Sequence, residues 1–166
     1  YRDNVIWNSE YSFEYWNAPV ESETYNIQFV NNTCVNAGFG WSHSQRADPN
    51  GRQLCFYTSP AQAHDIIVRG NIFCGASTNA FYAPAWDEAG LASLDMGGNL
   101  WYQAEGDMVW VNGRRYTMEQ FAQFQQELGL EATSAAGKPE FVDEANHDYR
   151  LRPDSAWAGK VGARTD

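Results

Sequence analysis

The 166-residue chain is predicted to be all-β, a parallel β-helix in which successive coils stack their strands. Two observations predict this: a strand-like pattern ending in Asn recurs along the first hundred residues, and the last third departs from it in the manner of a cap. The pattern reads YNIQFVNNTCV at 25–35, HDIIVRGNIFC at 64–74 and ASLDMGGNLWY at 92–102. Aligned on Asn32, Asn71 and Asn99, each copy has an apolar residue five positions earlier (Ile27, Ile66, Leu94) and another three earlier (Phe29, Val68, Met96). A fourth copy, YRDNVIWN, starts the chain around Asn4 and puts Tyr1 inside a strand.

Asn4, Asn32, Asn71 and Asn99 are 28, 39 and 28 residues apart, which reads as a 28-residue coil with an 11-residue insertion in the second interval. Strands this short cannot bury a face alone, whereas stacked coils bury one continuous interior. A short polar side chain tolerates a corner and hydrogen-bonds its counterparts above and below. With a strand at Tyr1, the upper edge is expected to need missing N-terminal coils or a partner chain to cover it.

Residues 1–103 are therefore read as repeat coils and 104–166 as a closing region of the same single domain. In that region Thr117-Met-Glu-Gln has the form of a capping box, and Met118, Phe121, Phe124 and Leu128 make one apolar stripe ended by Gly129. This spacing predicts a helix over about 118–128. PEFVD (139–143) and DYRLRPDS (148–155) add two short extended pieces.

Together the IxFxNN-type strands, GNLWY, the amphipathic helix, PEFVD and DYRLRPDS resemble the C-terminal half of right-handed parallel β-helix proteins of the pectate-lyase-like superfold. The resemblance implies an extracellular or periplasmic protein acting on a complex carbohydrate. That superfold carries lyases, hydrolases, epimerases and tailspikes, so chemistry has to be argued from residues.

Composition narrows the partners. A net charge of −10 repels nucleic acid and anionic membrane surfaces, and neither is expected as a partner. No apolar run reaches the roughly 20 residues of a membrane span, and no signal peptide precedes Tyr1, so the chain reads as soluble. Cys34, Cys55 and Cys74 lack metal or redox spacing and read as buried thiols. Aromatic residues make up 15% of the chain, with seven Trp, so sugar-facing aromatic surface is available.

The insertion, GWSHSQRADPNG at 40–51, is where a groove wall is expected. His43 is a candidate acid or base, Arg46 a clamp for a carboxylate or hydroxyls, and Asp48 a candidate general acid or base. Trp41 and Gln45 are candidate substrate-binding residues. Asp-Pro-Asn-Gly is also a good turn signal, which leaves a structural role for Asp48 open. One coil earlier, SFEYWNAP offers Glu14 among aromatics as a second catalytic carboxyl and Trp16 as a stacking residue.

A third loop, FYAPAWDEAG, offers Trp86 for substrate and the pair Asp87 and Glu88 as calcium ligands, without a further ligand pattern to support a metal. No cofactor is expected. Hydrolysis of a polysaccharide needs two carboxyls, and Glu14 with Asp48 is the candidate pair. A lyase acting on a uronate-containing glycan is the alternative, although both lysines, Lys138 and Lys160, lie in the closing region. Non-catalytic glycan binding or scaffolding is the third reading.

Overall fold

The computed structural model describes residues 1–16, 24–40, 50–57 and 63–164. Its strands form four separate sheets. Sheet A contains β3 (Thr24–Val30), β6 (Ala63–Arg69) and β9 (Leu94–Gly97), all parallel. Sheet B runs β1 (Val5–Trp7), β4 (Thr33–Ala37), β7 (Ile72–Ala76), β10 (Leu100–Tyr102) and β13 (Ala135–Ala136), again parallel.

Sheet C has the order β2 (Tyr11–Tyr15), β5 (Arg52–Phe56), β8 (Asn79–Ala83), β11 (Val109–Val111) and β12 (Arg114–Tyr116). Its first four strands are parallel, and β12 turns back antiparallel to β11. Sheet D is the antiparallel pair β14 (Phe141–Asp143) and β15 (Asp148–Leu151).

The expected fold class, one right-handed parallel β-helix, is thereby corrected: the described residues are mostly strands in four separate sheets, with two short helices among them. The reason lies in the closing region. There β12 reverses direction and β14–β15 pair only with each other, so parallel stacking read from the repeats does not extend through the chain as a single solenoid.

The register read from the repeats does hold strand by strand. Ile27 sits opposite Ile66 and Ile66 opposite Leu94, and Phe29, Val68 and Met96 align in the same way. The Asn residues form a ladder: each amide donates to the next carbonyl oxygen, from Asn4 to Asn32, Asn71 and Asn99. The left-handed corner lies one residue earlier than the sequence suggested, at Asp3, Asn31, Gly70 and Gly98, which leaves the ladder Asn free to bond across coils.

The ladder ends on a carboxylate. The Asn99 amide donates to both Glu131 oxygens at 3.0 and 3.1 Å, and Ser134 Oγ also donates to Glu131. Burial pushes the Glu131 carboxyl up to about 7, against the lowering effect of those donors. A terminal amide donor in the interior must find an acceptor, and Glu131 supplies it.

The main core, between sheets A, B and C, contains Phe13, Phe29, Phe56, Phe73, Phe81 and Trp101. The expected helix appears as a 3₁₀ turn at Met118–Gln120 leading into α2 (Phe121–Leu128), with Gln120 Oε1 accepting from the Thr117 N–H and Gly129 left-handed at the end. A helix the sequence reading placed as loop, α1 (Glu88–Ala92), is capped by Asp87 Oδ1, which accepts from the Gly90 N–H at 2.9 Å. Cys34, Cys55 and Cys74 are buried free thiols, pushed up by burial to about 12, 11 and 12.

A second, smaller cluster lies on the outer side of sheet B. There Val35, Ile72, Cys74 and Leu100 meet Phe141, Tyr149, Trp157 and Val161 from the end of the chain. Three backbone N–H groups tie that end down: Gly162 donates to Gly70 O, Ala163 to Thr33 Oγ1 and Arg164 to Asp3 Oδ1.

Candidate functional site

Strand alternation splits sheet C into two rows. Phe13, Leu54, Phe81, Val109 and Tyr116 align across the strands and face the core. The adjacent residue of each strand, the next one in the four parallel strands and the preceding one in β12, makes the outward row Glu14, Cys55, Tyr82, Trp110 and Arg115, also aligned strand to strand. Arg52 at the start of β5, Tyr57 just after its end and Tyr11 at the start of β2 meet this row.

The aromatic rings run continuously across the face. Ring centroids are 6.0 Å apart for Tyr11 and Tyr57, 5.8 Å for Tyr57 and Tyr82, and 5.2 Å for Tyr82 and Trp110, each pair edge to face. Two guanidinium groups lie on them, Arg52 at 3.7 Å from the Tyr82 centroid and Arg115 at 3.9 Å from that of Trp110. Tyr57, Tyr82 and Trp110 are half-buried, and neither hydrophobic cluster includes them.

A polar relay links the rings. Arg52 Nη1 donates to the Tyr57 hydroxyl at 2.9 Å, and the Tyr57 and Tyr11 hydroxyl oxygens are 2.7 Å apart. Because the Tyr57 oxygen accepts from Arg52, we assign Tyr57 as the donor to Tyr11, on which Glu10 also acts. Burial, helped by the bond to Tyr11, pushes the Tyr57 phenol far above its usual range, and burial likewise raises Tyr11. Both phenols therefore remain neutral hydrogen-bonding groups, unsuited to act as bases.

The residues expected from sequence fare differently. Glu14 is exposed in the outward row, opposite Cys55, and no described carboxylate sits across from it. Trp16 follows β2 and is 71% exposed. Trp86, expected to stack on substrate, is corrected: it is 0% exposed and packs against Phe56 and Tyr15 in the core, because α1 folds its loop inward. Trp41, His43, Gln45, Arg46 and Asp48 lie outside the described residues. The calcium pair is otherwise engaged, Asp87 as the cap of α1 and Glu88 beside Arg114 at 3.4 Å. Among the described residues no three His, Cys, Asp or Glu side chains are grouped to hold a metal ion.

Sequence reasoning missed Tyr11, Arg52, Tyr57, Tyr82, Trp110 and Arg115. The signal was present for two of them, since Tyr82 and Trp110 are one 28-residue coil apart and lie in register. Among the described residues no helix is long and apolar enough to cross a membrane. No family model matches the chain, and neither a curated protein nor a solved structure matches it, so the resemblance to the pectate-lyase-like superfold is corrected along with the fold class and contributes no activity.

Proposed function

We propose that the chain binds a polysaccharide along the outer face of sheet C. The observation that carries this reading is the row formed by Tyr82 and Trp110 on adjacent strands with Tyr57 just past the end of β5, half-exposed and bearing guanidinium groups. Adjacent strands are about 4.8 Å apart, a step comparable to the length of one pyranose ring. A sugar chain laid across the strands would thus meet an aromatic group at each step, its C–H face on the rings and its hydroxyls near Tyr and Arg donors. Polysaccharide recognition fits an extracellular or periplasmic location.

Hydrolysis of the bound chain is a second reading, favoured by the position of Glu14 in the same outward row. It requires a second carboxyl, for which Asp48 is the candidate. Binding is tested by affinity electrophoresis in gels containing a panel of neutral and acidic polysaccharides. Wild type is expected to be retarded by at least one, and Trp110→Ala to lose about tenfold in affinity for it. Free migration of wild type in every gel would overturn the proposal.

A further inference from the structure

We propose that the chain carries a second binding site, for a small organic phosphate monoester, in the cavity between the outer side of sheet B and the segment that follows β15. This site is independent of the polysaccharide face, and no residue of the sheet C row takes part. The cavity measures about 520 Å³, a volume within the range of small-molecule sites. Arg150, Lys160 and Arg164 line it, and no carboxylate does. In a chain of net charge −10 such a place is an exception.

Arg150 is already matched, since its Nε and Nη2 donate to the two oxygens of Asp148. Lys160 and Arg164 are exposed, and among the described residues neither pairs with a carboxylate. Asp3 accepts from the Arg164 backbone N–H but does not line the cavity. A second cavity, of about 540 Å³, shows the contrast: Lys138 and Arg152 line it together with Glu140 and Glu144, so its charges offset one another.

The wall formed by sheet B adds a buried donor. Thr33 is 2% exposed, and its Oγ1 accepts from the Ala163 N–H at 2.9 Å, which leaves the hydroxyl hydrogen to be given. A buried O–H without an acceptor costs free energy that a ligand oxygen would recover. Gly162, at φ +86°, lets the backbone come down onto Thr33 and Ile72, where a Cβ would lie 2.8 Å from Thr33 Oγ1. That contact positions the segment carrying Lys160 and Arg164 on either side of it.

Two uncompensated cations and a hydroxyl donor call for an anion of higher charge with several acceptor oxygens. A phosphate monoester carries about −1.5 to −2 at neutral pH and three strong acceptor oxygens, whereas a carboxylate brings a single charge. The rest of the wall includes Ile72, Leu151 and Val161. A bare phosphate would leave that apolar surface unused, and the organic part of a monoester covers it.

The test is isothermal titration of the 166-residue chain with phenyl phosphate, inorganic phosphate and benzoate at equal ionic strength. Phenyl phosphate is expected to bind about tenfold more tightly than either of the others. Lys160→Met and Arg164→Met, at exposed positions, should each weaken it about fivefold, while Lys138→Met, at the second cavity, leaves it unchanged. Thr33→Val keeps the shape without the hydroxyl and should also weaken it about fivefold. Circular dichroism melting is followed in parallel, and the two exposed variants carry the test if the Val variant fails to fold.

Absence of phenyl phosphate binding at millimolar concentration overturns the proposal. Benzoate bound as tightly overturns the phosphate assignment, and inorganic phosphate bound as tightly overturns the monoester. An equal loss in Lys138→Met overturns the location. Retardation by polysaccharides is expected to be the same for Lys160→Met and wild type, so failure of either site is distinguishable from failure of the other.

Discussion

The first four strands of sheets B and C are built alike, parallel and paired in the same order along the chain, yet the outer faces of the two sheets have opposite fates. The outer face of sheet B carries Val35, Ile72, Cys74 and Leu100, and the chain's own end covers it. The outer face of sheet C carries Glu14, Tyr82, Trp110 and Arg115, and no described segment joins a hydrophobic cluster with it. Aliphatic side chains gain only by leaving water, so a row of them calls for a cover. Tyr, Trp and Arg keep a polar group or a ring edge in water while offering apolar area, so their row is stable uncovered and still has binding energy to release. The difference teaches that the chemistry of the outward residue, more than strand pairing, decides which face is structural.

The largest effect is expected from breaking the cover. Gly162 has φ +86°, and a Cβ there would sit 2.7 Å from Ile72 Cδ1 and 2.8 Å from Thr33 Oγ1. Gly162→Val should therefore lift the terminal segment and cost about 2–4 kcal/mol, read as a lower urea midpoint and increased binding of an apolar dye. Unchanged stability would mean that the cover contributes little and that the two faces are less different than their residues suggest.

The next effect belongs to the core that both sheets share. Glu131 titrates at about 7 in the folded state because it is buried. Between the usual carboxylate range and about pH 7 the folded chain holds a proton that the unfolded chain has released. Its contribution to stability is then fully present at low pH, declines as pH rises through that window and is flat above it, an amplitude of up to about 3 kcal/mol. Urea unfolding at pH 5 and pH 8 should show the decline, and Glu131→Gln, which keeps an acceptor for Asn99, should abolish most of it. A slope of the same size in the Gln variant would assign the dependence to other groups.

How much of this was legible follows from what each feature depends on. The aligned Ile27, Ile66 and Leu94 and the Asn ladder were readable because a repeat writes the same environment into the sequence several times. Glu131 was not, because it closes the ladder with a different residue type at a spacing stretched to 32 by α2. The single-solenoid expectation failed in the closing region, where no repeat reports strand direction. Of the candidate site, Glu14 was read in a loop and lies in β2, because the loop begins only after Tyr15, and Trp86 was misassigned because an aromatic beside Asp-Glu looks the same in sequence whether its loop folds out or in. Arg52 and Tyr57 were missed because their significance comes from Tyr11 and Tyr82 on neighbouring strands, contacts that no local pattern encodes.

A pair of tryptophans sharpens the comparison. Trp157 packs in the cover of sheet B, and Trp110 lies in the open row of sheet C. Trp157→Ala should cost about 1.5 kcal/mol of stability and leave glycan affinity unchanged. Trp110→Ala should do the reverse, costing under about 1 kcal/mol and about tenfold in affinity. Equal stability losses would show that the open row also holds the sheet together.

The smallest expected effect decides between binding and turnover on that open face. Glu14 is exposed, lies opposite Cys55 and has no described carboxylate across from it. A carboxylate that only borders a sugar site contributes through water-screened contacts, typically well under 1 kcal/mol, so Glu14→Gln should change glycan affinity by less than about threefold. The same variant is then assayed for release of reducing ends from whichever polysaccharide binds, beside Asp48→Asn. Hydrolysis by wild type that falls more than tenfold in both variants, with affinity retained, would make Glu14 and Asp48 a working carboxylate pair and the aromatic row the platform that presents the substrate to it. Absence of turnover in wild type, with binding intact, would leave the outer face of sheet C as a binding surface whose energy comes from its rings and guanidinium groups.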